Sequence, residues 1–204
     1  SGTNVVFKSS GAAITNNVSY NTVSSNRFTA SYIVDAGDTE GAVTFQISLQ
    51  DVAGNTTDLE TKTVTDATSV TIDLTGPIIA PNGITSDISF AWFAGPKGGT
   101  ANILNMHDDD ADKTITVKTS GVEDDQIMTM VVLDLSNSSN NVIEKTAAVN
   151  SNEVVFTISG EELQDLSAND YETVFTVRDK AGNAHQAPGV KEFTVNRTAP
   201  VISS

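Results

Sequence analysis

The sequence contains no cysteine in its 204 residues. This excludes a disulfide framework of the kind that holds many small secreted domains together. Each domain must therefore be stabilised by its own hydrophobic core or by bound metal ions. Histidine is also scarce. His107 and His185 are isolated in the sequence, with no cysteine or second histidine at ligand spacing. We therefore expect no transition-metal site.

Positive charge is scarce as well, with 11 Lys and Arg against 26 Asp and Glu and a net charge of −15. So acidic a surface repels nucleic acid and anionic membranes and attracts cations. Solubility alone explains the acidity equally well. No apolar run approaches the length of a membrane-spanning helix. We expect neither a nucleic-acid partner nor membrane insertion.

Recognisable catalytic signatures are missing too. The sequence has no Gly-x-Ser-x-Gly nucleophile motif, no phosphate-binding loop and no pair of carboxylates in a familiar catalytic frame. Strong helix formers are sparse, whereas Thr, Ser, Asn, Val and Asp are abundant, which favours strands and turns. We expect an all-β protein that is not an enzyme.

What the sequence does contain is one pattern that occurs twice. An alternating strand runs into an Asp-x-Ala-Gly-Asn segment at Asp51–Asn55 and again at Asp179–Asn183. We call these two segments the AGN loops. Each is followed by a second strand and a proline-containing exit, at residues 70–79 and 193–202. An internal repeat of this kind indicates an array of similar β-domains.

The first predicted domain covers residues 1–76. Phe28, Tyr32 and their neighbours alternate between apolar and polar, and so do the residues from Val43 to Leu49. This alternation is typical of an antiparallel sheet with one buried face. The predicted strands are 4–8, 12–18, 27–34, 42–49 and two more between 60 and 74.

The second predicted domain covers residues 77–200, and residues 201–204 are a linker or the start of a further repeat. A short helical turn is predicted at 159–166, with Ser159 as its N-cap, Glu162 three residues later, and Leu163 and Leu166 facing the core. Seven short strands separated by turns predict an immunoglobulin-like β-sandwich. They are 88–93, 114–118, 128–135, 142–148, 154–158, 172–178 and 190–195.

The two domains differ in length before the shared loop. Fifty residues precede Asp51, whereas 101 residues lie between Pro77 and Asp179. Either the first domain lacks its opening strands, or the second carries an insertion around residues 94–112. We expect the first explanation, because a sandwich of this type needs about 100 residues. A domain without its opening strands exposes a sheet edge.

Several short segments match, in order, the signatures of one family. With these in view, the chain resembles the bacterial immunoglobulin-like repeats of giant surface and biofilm adhesins. Gly76 stands where that family usually has Ala, and residues 82–112 match nothing recognisable. The matching segments are 36–41, 51–55 and 75–77 in the first domain, and 120–126, 158–171, 179–183 and 198–200 in the second.

The resemblance implies rigid, extracellular spacer repeats on a bacterial cell surface, stiffened by calcium, with neighbouring repeats of the same polypeptide as partners. In a sandwich of this type, the last loop and the loop after the second strand share the pole where the preceding domain's exit arrives. Ca²⁺ takes about six to eight oxygen ligands in irregular geometry. The predicted ligands at this domain junction are Asp73, Glu123, Asp124, Asp125, Asp179 and Asn183.

A second calcium site is predicted at Asp51 and Asn55, with Asp35 and Asp38 nearby. For both AGN loops the alternative is a plain turn, in which Asp and Asn side chains cap their own backbone and glycine supplies a positive φ. The acidic run 108–112 lacks the spacing of an EF-hand loop. We interpret it as a solvated loop.

Two other functions stay open at this point. Phe90, Trp92 and Phe93 lie in one segment and would suit a glycan-binding module if they were exposed, although a core strand is the expected arrangement. Alternatively, an incomplete first domain would accept a strand from a neighbouring chain, as in a surface filament subunit.

Overall fold

The computed structural model describes residues 2–24, 27–62, 66–90, 103–105, 111–137 and 140–198. Within these ranges the chain forms short strands joined by turns, with two short α-helices and one 3₁₀ turn at Leu135–Asn137. It divides into two compact units, unit 1 (Ser1–Leu74) and unit 2 (Thr75–Ser204). The all-β class is confirmed, whereas the domain boundary after residue 76 stays a prediction. No helix in these ranges is both long and apolar enough to cross a membrane.

In unit 1, β1 and β5 form the longest pair, antiparallel from Thr3 opposite Leu49 to Ser9 opposite Val43. The sheet order is β2–β1–β5–β6, with β7 also pairing β5, while β3 and β4 form a separate hairpin. The strands are β1 (Thr3–Ser9), β2 (Ala12–Ala13), β3 (Ser19–Ser24), β4 (Arg27–Ser31), β5 (Gly41–Leu49), β6 (Glu60–Lys62) and β7 (Thr71–Ile72).

The hydrophobic core of unit 1 is small. Phe7, Tyr32 and Phe45 form an aromatic cluster, with the Phe7 ring centroid 6.3 Å from that of Tyr32 and 6.4 Å from that of Phe45. Within the described part of unit 1, Ile72 is the hydrophobic side chain that is fully buried, whereas Phe28 remains 46% exposed. The alternating residues do lie on strands, but little of the apolar face of these strands is covered in the described part of unit 1.

Unit 2 contains two sheets. One has the order β10–β16–β15–β12–β13, and in the other β11 pairs with β14, β8 and β9. Its elements are β8 (Ile78–Ile79), α1 (Ile84–Asp87), β9 (Ile88–Phe90), β10 (Ile103–Asn105), β11 (Lys113–Ser120), β12 (Ile127–Asp134), β13 (Asn141–Ala148), β14 (Glu153–Ile158), α2 (Gly160–Gln164), β15 (Asp170–Arg178) and β16 (Ala184–Asn196).

The core of unit 2 lies between these sheets. Phe156 on β14 contacts Phe175 on β15 with ring centroids 5.8 Å apart, and Tyr171 stacks on Phe193 at 5.4 Å. All four side chains are at most 2% exposed. Alternate residues of β11 and β14 are buried, because one face of their sheet packs against this core. This is the predicted immunoglobulin-like sandwich.

Helix α2 begins as the sequence predicts. The Ser159 backbone N–H donates to Glu162 Oε2 at 2.9 Å, and Ser159 Oγ accepts from the Glu162 backbone N–H, which is a complete capping box. The Lys145 ammonium lies 2.6 Å from Glu162 Oε1. Leu163 is fully buried and Leu166 nearly so. The cap and the two leucines therefore fix this turn against the core.

Several predicted strand limits are wrong. Of the predicted strand 12–18, Ala12–Ala13 is a strand, and the next strand is β3, which the sequence did not predict. Strand β4 ends at Ser31, not at residue 34, because the Ile33 carbonyl accepts from Asn16 Nδ2 and the chain then enters a turn. Of the predicted strand 88–93, residues 88–90 form β9, and Trp92 and Phe93 lie outside the described residues.

Candidate functional site

The AGN loop of unit 2 is closed by one buried carboxylate. Asp179 is 4% exposed. Its Oδ1 accepts from the Asn183 backbone N–H at 2.9 Å, and its Oδ2 accepts from Asn183 Nδ2 at 3.0 Å. Gly182 has a φ of 95°, and its N–H donates to the Asp179 carbonyl at 3.1 Å. The loop adopts this geometry because the Asp179 side chain accepts hydrogen bonds within its own turn and Gly182 tolerates the positive φ.

The AGN loop of unit 1 has the same geometry. Asp51 accepts from the Asn55 backbone N–H and from Asn55 Nδ2, both at 2.8 Å. Gly54 has a φ of 92°. These hydrogen bonds from the Asn55 side chain and backbone hold the pKa of Asp51 below its ordinary value. The difference is exposure, since Asp51 is at the surface whereas Asp179 is buried.

Of the three predicted ligands in the loop after β11, one faces the AGN loop of unit 2. Glu123 Oε2 accepts from the Lys180 backbone N–H at 3.0 Å, so it lies beside that loop. Asp124 Oδ1 accepts instead from the Ser151 backbone N–H at 2.7 Å, in the turn between β13 and β14. Asp125 is exposed, with a φ of 69°. The structure therefore brings Glu123 to Asp179–Asn183 and directs Asp124 elsewhere.

The first residues of unit 2 approach the same loop. Asn183 Nδ2 donates to the Thr75 carbonyl at 3.5 Å. A Cβ placed on Gly76 would lie 3.7 Å from the Ala184 carbonyl oxygen. His185 Nδ1 is 2.8 Å from the Pro77 carbonyl oxygen. Sequence reasoning could not find the histidine contact, because its partner is a backbone carbonyl distant in the chain.

The acidic residues predicted to accompany Asp51 serve another turn. Asp38 is buried, and its Oδ1 accepts from the Thr15 N–H and hydroxyl at 2.9 and 3.0 Å. Its Oδ2 accepts from the Asp35 N–H at 2.8 Å. Although burial acts to raise it, these hydrogen bonds hold the pKa of Asp38 below its ordinary value. The carboxylate of Asp38 thus stabilises the Asp35–Asp38 turn.

Apart from the His185 imidazole, the side-chain donors beside the AGN loop of unit 2 are oxygens. In the described ranges, no three Asp, Glu or His side chains lie close enough together to hold a metal ion. Carboxylates of Glu123 and Asp179, the Asn183 amide, backbone carbonyls and water are the donors that this pole offers. Such a donor set fits Ca²⁺ and does not fit Zn²⁺ or copper. Asp73, the last predicted ligand, belongs to unit 1.

The acidic run 108–112 falls mostly outside the described residues, as does His107. Its last member, Asp112, accepts from the Gly160 backbone N–H at 3.2 Å through Oδ1. Asp112 therefore caps the first turn of α2. Phe90, the described aromatic residue of the predicted glycan-binding segment, is 5% exposed and lies in the core.

A shallow acidic groove of about 320 Å³ lies beside α2, between Asp134, Glu162 and Tyr171. The hydrogen bond from Lys145 holds the pKa of Glu162 below its ordinary value. Burial, with the charge of Asp134 adding to it, raises the pKa of Tyr171, whose hydroxyl donates to the Ser167 carbonyl. Each of these three side chains has a structural partner, which for Asp134 is the Ser136 hydroxyl.

Comparison with protein families gives one informative match. The model described as bacterial Ig-like domain matches residues 1–67 and 85–194. The match covers most of the chain and includes both AGN loops. A comparison with curated proteins gives no significant match.

Three solved structures are similar to the chain at 18% sequence identity. They are a tetra-tandem repeat in the extending region of a large adhesion protein (TM-score 0.41), a 1.5-MDa bacterial ice-binding adhesin (0.44) and a Ca²⁺-stabilised, ice-binding adhesin of an Antarctic bacterium (0.44). The alignments cover 97%, 96% and 97% of this chain, and 42%, 53% and 41% of those chains. The chain thus spans about half of their length or less.

Proposed function

The chain belongs to the bacterial Ig-like domain family, and we propose that its two units are structural repeats that extend and space a bacterial cell-surface adhesin. The observation that supports this most is the recurrence of one layout. In both units a long antiparallel strand pair ends at the same register in an AGN loop with the same hydrogen bonds. Repetition of one rigid β-unit is the architecture expected of a spacer.

An extracellular, cell-surface location is part of the same proposal. The net charge of −15 keeps an extended surface protein soluble and draws in divalent cations. The partners proposed are neighbouring repeats of the same polypeptide. The role is structural and not catalytic, because the titratable side chains described above serve turns, caps and an ion pair.

Calcium is part of this proposal. Ca²⁺ binds at the pole of unit 2 formed by Glu123 and the AGN loop 179–183, where it adds a charged cross-link between two loops. The support is the set of carboxylate, amide and carbonyl oxygens at this pole and the excess of negative charge. That Asp73, Asp124 and Asp125 add ligands there, and that Asp51 and Asn55 bind a second ion, stays a prediction from the sequence.

The spacer role is tested by surface display. One, two or four copies of the chain are placed between a membrane anchor and an adhesive domain of known target. We expect the reach to grow with copy number while affinity for the target stays constant. The isolated chain is also applied to a glycan array and to bare bacterial surfaces. Micromolar binding by the chain itself would show a ligand-binding module and overturn the proposal.

Calcium binding is tested by thermal unfolding in CaCl₂, in MgCl₂ and in chelator. An ion that binds only the folded state raises the melting temperature by mass action. We expect a rise with Ca²⁺ that is reduced in Glu123→Gln and retained in Glu161→Gln, which removes the same charge from α2. Identical melting curves with Ca²⁺ and with chelator would exclude calcium binding. The spacer role would not be affected by that result, because the display experiment tests it separately.

A further inference from the structure

Strand β8, with which unit 2 begins its pairing, is two residues long. It stands at the end of the sheet order β14–β11–β8, with Ile79 opposite Thr119 on β11. The Ala80 N–H extends this pairing by donating to the Lys118 carbonyl at 2.9 Å. A strand this short offers little main-chain pairing, since most strands have about five or six residues. The position of β8 therefore depends on further contacts.

These contacts come from the beginning of β16, which belongs to the other sheet. We call residues 75–79 the entry segment, because the chain passes through them into the sandwich of unit 2. Asn183 Nδ2 donates to the Thr75 carbonyl at 3.5 Å. His185 Nδ1 lies 2.8 Å from the carbonyl oxygen of the buried Pro77. Side chains beside one sheet thus contact the backbone that leads into the other.

The entry segment is closely packed between the end of β11 and the start of β16. A Cβ placed on Gly121, the residue after β11, would lie 3.6 Å from the Pro77 Cα and 3.9 Å from the Gly76 carbonyl oxygen. A Cβ placed on Gly76 would lie 3.7 Å from the Ala184 carbonyl oxygen. Backbone atoms therefore stand at contact distance on both sides, and the hydrogen bond from His185 is made across a filled gap.

The 2.8 Å contact determines the tautomer of the His185 imidazole. The Pro77 carbonyl can only accept a hydrogen bond, so Nδ1 must carry a proton. The Ile79 N–H lies 3.4 Å from the same nitrogen and would favour the opposite tautomer, in which Nδ1 accepts. The shorter contact decides between the two, because two acceptor atoms at 2.8 Å would repel each other.

We propose that His185 is a positioning residue, whose Nδ1–H donates to the Pro77 carbonyl and fixes the entry segment against the start of β16 without a bound metal ion. The purpose of this contact rests on the proposed spacer role, because a spacer must hold the direction in which its chain enters each unit. The hydrogen bond is made by a side chain and a backbone carbonyl of unit 2 alone. The Ca²⁺ proposed above therefore binds beside a segment that His185 has already positioned.

The first test locates the imidazole proton in the original full chain. Nitrogen NMR of His185 is recorded in chelator and in mildly alkaline buffer, in which an imidazole is neutral. We expect the proton on Nδ1, because the Pro77 carbonyl accepts it. A proton on Nε2 would overturn the proposal, and this result does not depend on how any variant folds.

The second test changes the side chain and measures amide exchange by NMR, again in chelator. His185→Leu removes the donor, whereas His185→Asn keeps an N–H donor close to the place of Nδ1. Gln186→Leu is the control, because adjacent residues of a strand face opposite sides of the sheet. The Ala80 amide reports on the pairing of β8 with β11, and the amides of β12 and β15 report on the unit as a whole.

We expect exchange of the Ala80 amide to be about tenfold faster in His185→Leu than in the original chain, because the entry segment opens locally. His185→Asn and Gln186→Leu should exchange like the original chain, and the amides of β12 and β15 should not change. Unchanged Ala80 exchange in His185→Leu, or equal acceleration in His185→Asn, would overturn the proposal. So would equal acceleration in β12 and β15, which would show a general loss of stability. A ligand found in the glycan-array experiment would overturn the spacer role and leave these measurements unchanged, so the two failures are distinguishable.

Discussion

The carboxylate of Asp179 holds both the backbone N–H and the side-chain amide of Asn183, at 2.9 and 3.0 Å. The pair closes a five-residue loop around Gly182 and joins β15 to β16. Asp51 and Asn55 make the same two hydrogen bonds in unit 1. The recurring motif is therefore first of all a self-contained turn, and any metal ion that binds there is added to a loop that is already formed.

Replacing Asp179 by Ala should destabilise unit 2 by about 1–3 kcal/mol, because the half-buried donors of Asn183 lose the buried carboxylate that accepts from them. The matched change Asp51→Ala should have a smaller effect, since water replaces the carboxylate at an exposed loop. Thermal unfolding of both variants in chelator separates this effect from calcium binding. Equal destabilisation by the two changes would contradict the role assigned to burial.

Two glycines should respond to alanine in opposite ways. Gly182→Ala should cost about 1–2 kcal/mol, since its φ of 95° strains any L side chain even though nothing lies within 4 Å of the added Cβ. Gly76→Ala should be neutral or stabilising by up to about 1 kcal/mol, because its Cβ meets ordinary contacts and the unfolded chain becomes less flexible. Denaturant unfolding of both variants measures the difference. A destabilised Gly76→Ala would show that the described geometry there is wrong.

Acid should weaken unit 2 partly through Glu162. The hydrogen bond from Lys145 lowers the pKa of Glu162 from its ordinary value of 4.5, so its contribution is fully present above pH 4.5 and is lost as the pH falls through the lowered value. Glu162→Gln should therefore flatten the decline of melting temperature below pH 4.5. Glu161→Gln, on the same turn, is the control and should leave the slope of the original chain.

Phe156 in unit 2 and Phe28 in unit 1 should respond very differently to truncation. Phe156→Ala should cost about 3–5 kcal/mol, because it removes a buried ring packed on Phe175 and leaves a cavity. Phe28→Ala should cost much less, since this ring is already 46% exposed. Urea unfolding monitored separately for each unit by NMR gives both values. Comparable losses would mean that unit 1 buries Phe28 in solution.

Most of the strands of unit 2 could be predicted from the sequence. In residues 113–178 the apolar–polar alternation continues over whole strands, because one face of each sheet is buried in the core. The cap of α2 was equally predictable, since Ser159 and Glu162 signal it through neighbouring residues alone. The short elements α1, β8 and β10 could not be predicted, because two to four residues carry no periodicity. Strands β8 and β10 depend on β11 and β16, which supply their hydrogen-bond partners from distant parts of the chain.

The candidate site was predictable to a smaller extent. The turns of the AGN loops were predictable, because the Asp, Gly and Asn residues that form each turn lie within five consecutive positions. The orientation of an acidic side chain is a different matter, because Glu123 and Asp124 are adjacent in sequence yet accept hydrogen bonds from different loops. The density of Asp and Glu in the sequence therefore does not predict which loop each carboxylate faces. The Lys180 and Ser151 backbone N–H groups donate to the carboxylates of Glu123 and Asp124, respectively, and so set their directions.

Strand β10 runs parallel to the last strand of unit 2, with Ile103 opposite Thr194 and Asn105 opposite Asn196. A force applied where β10 begins and where β16 ends draws the two strands in opposite directions along their common axis. The hydrogen bonds between them are then loaded in shear, so they must break together and not one after another. Beyond the end of β16, Arg197 donates to the Leu163, Gln164 and Leu166 carbonyls. Mechanical tension therefore meets its resistance where the chain leaves the domain.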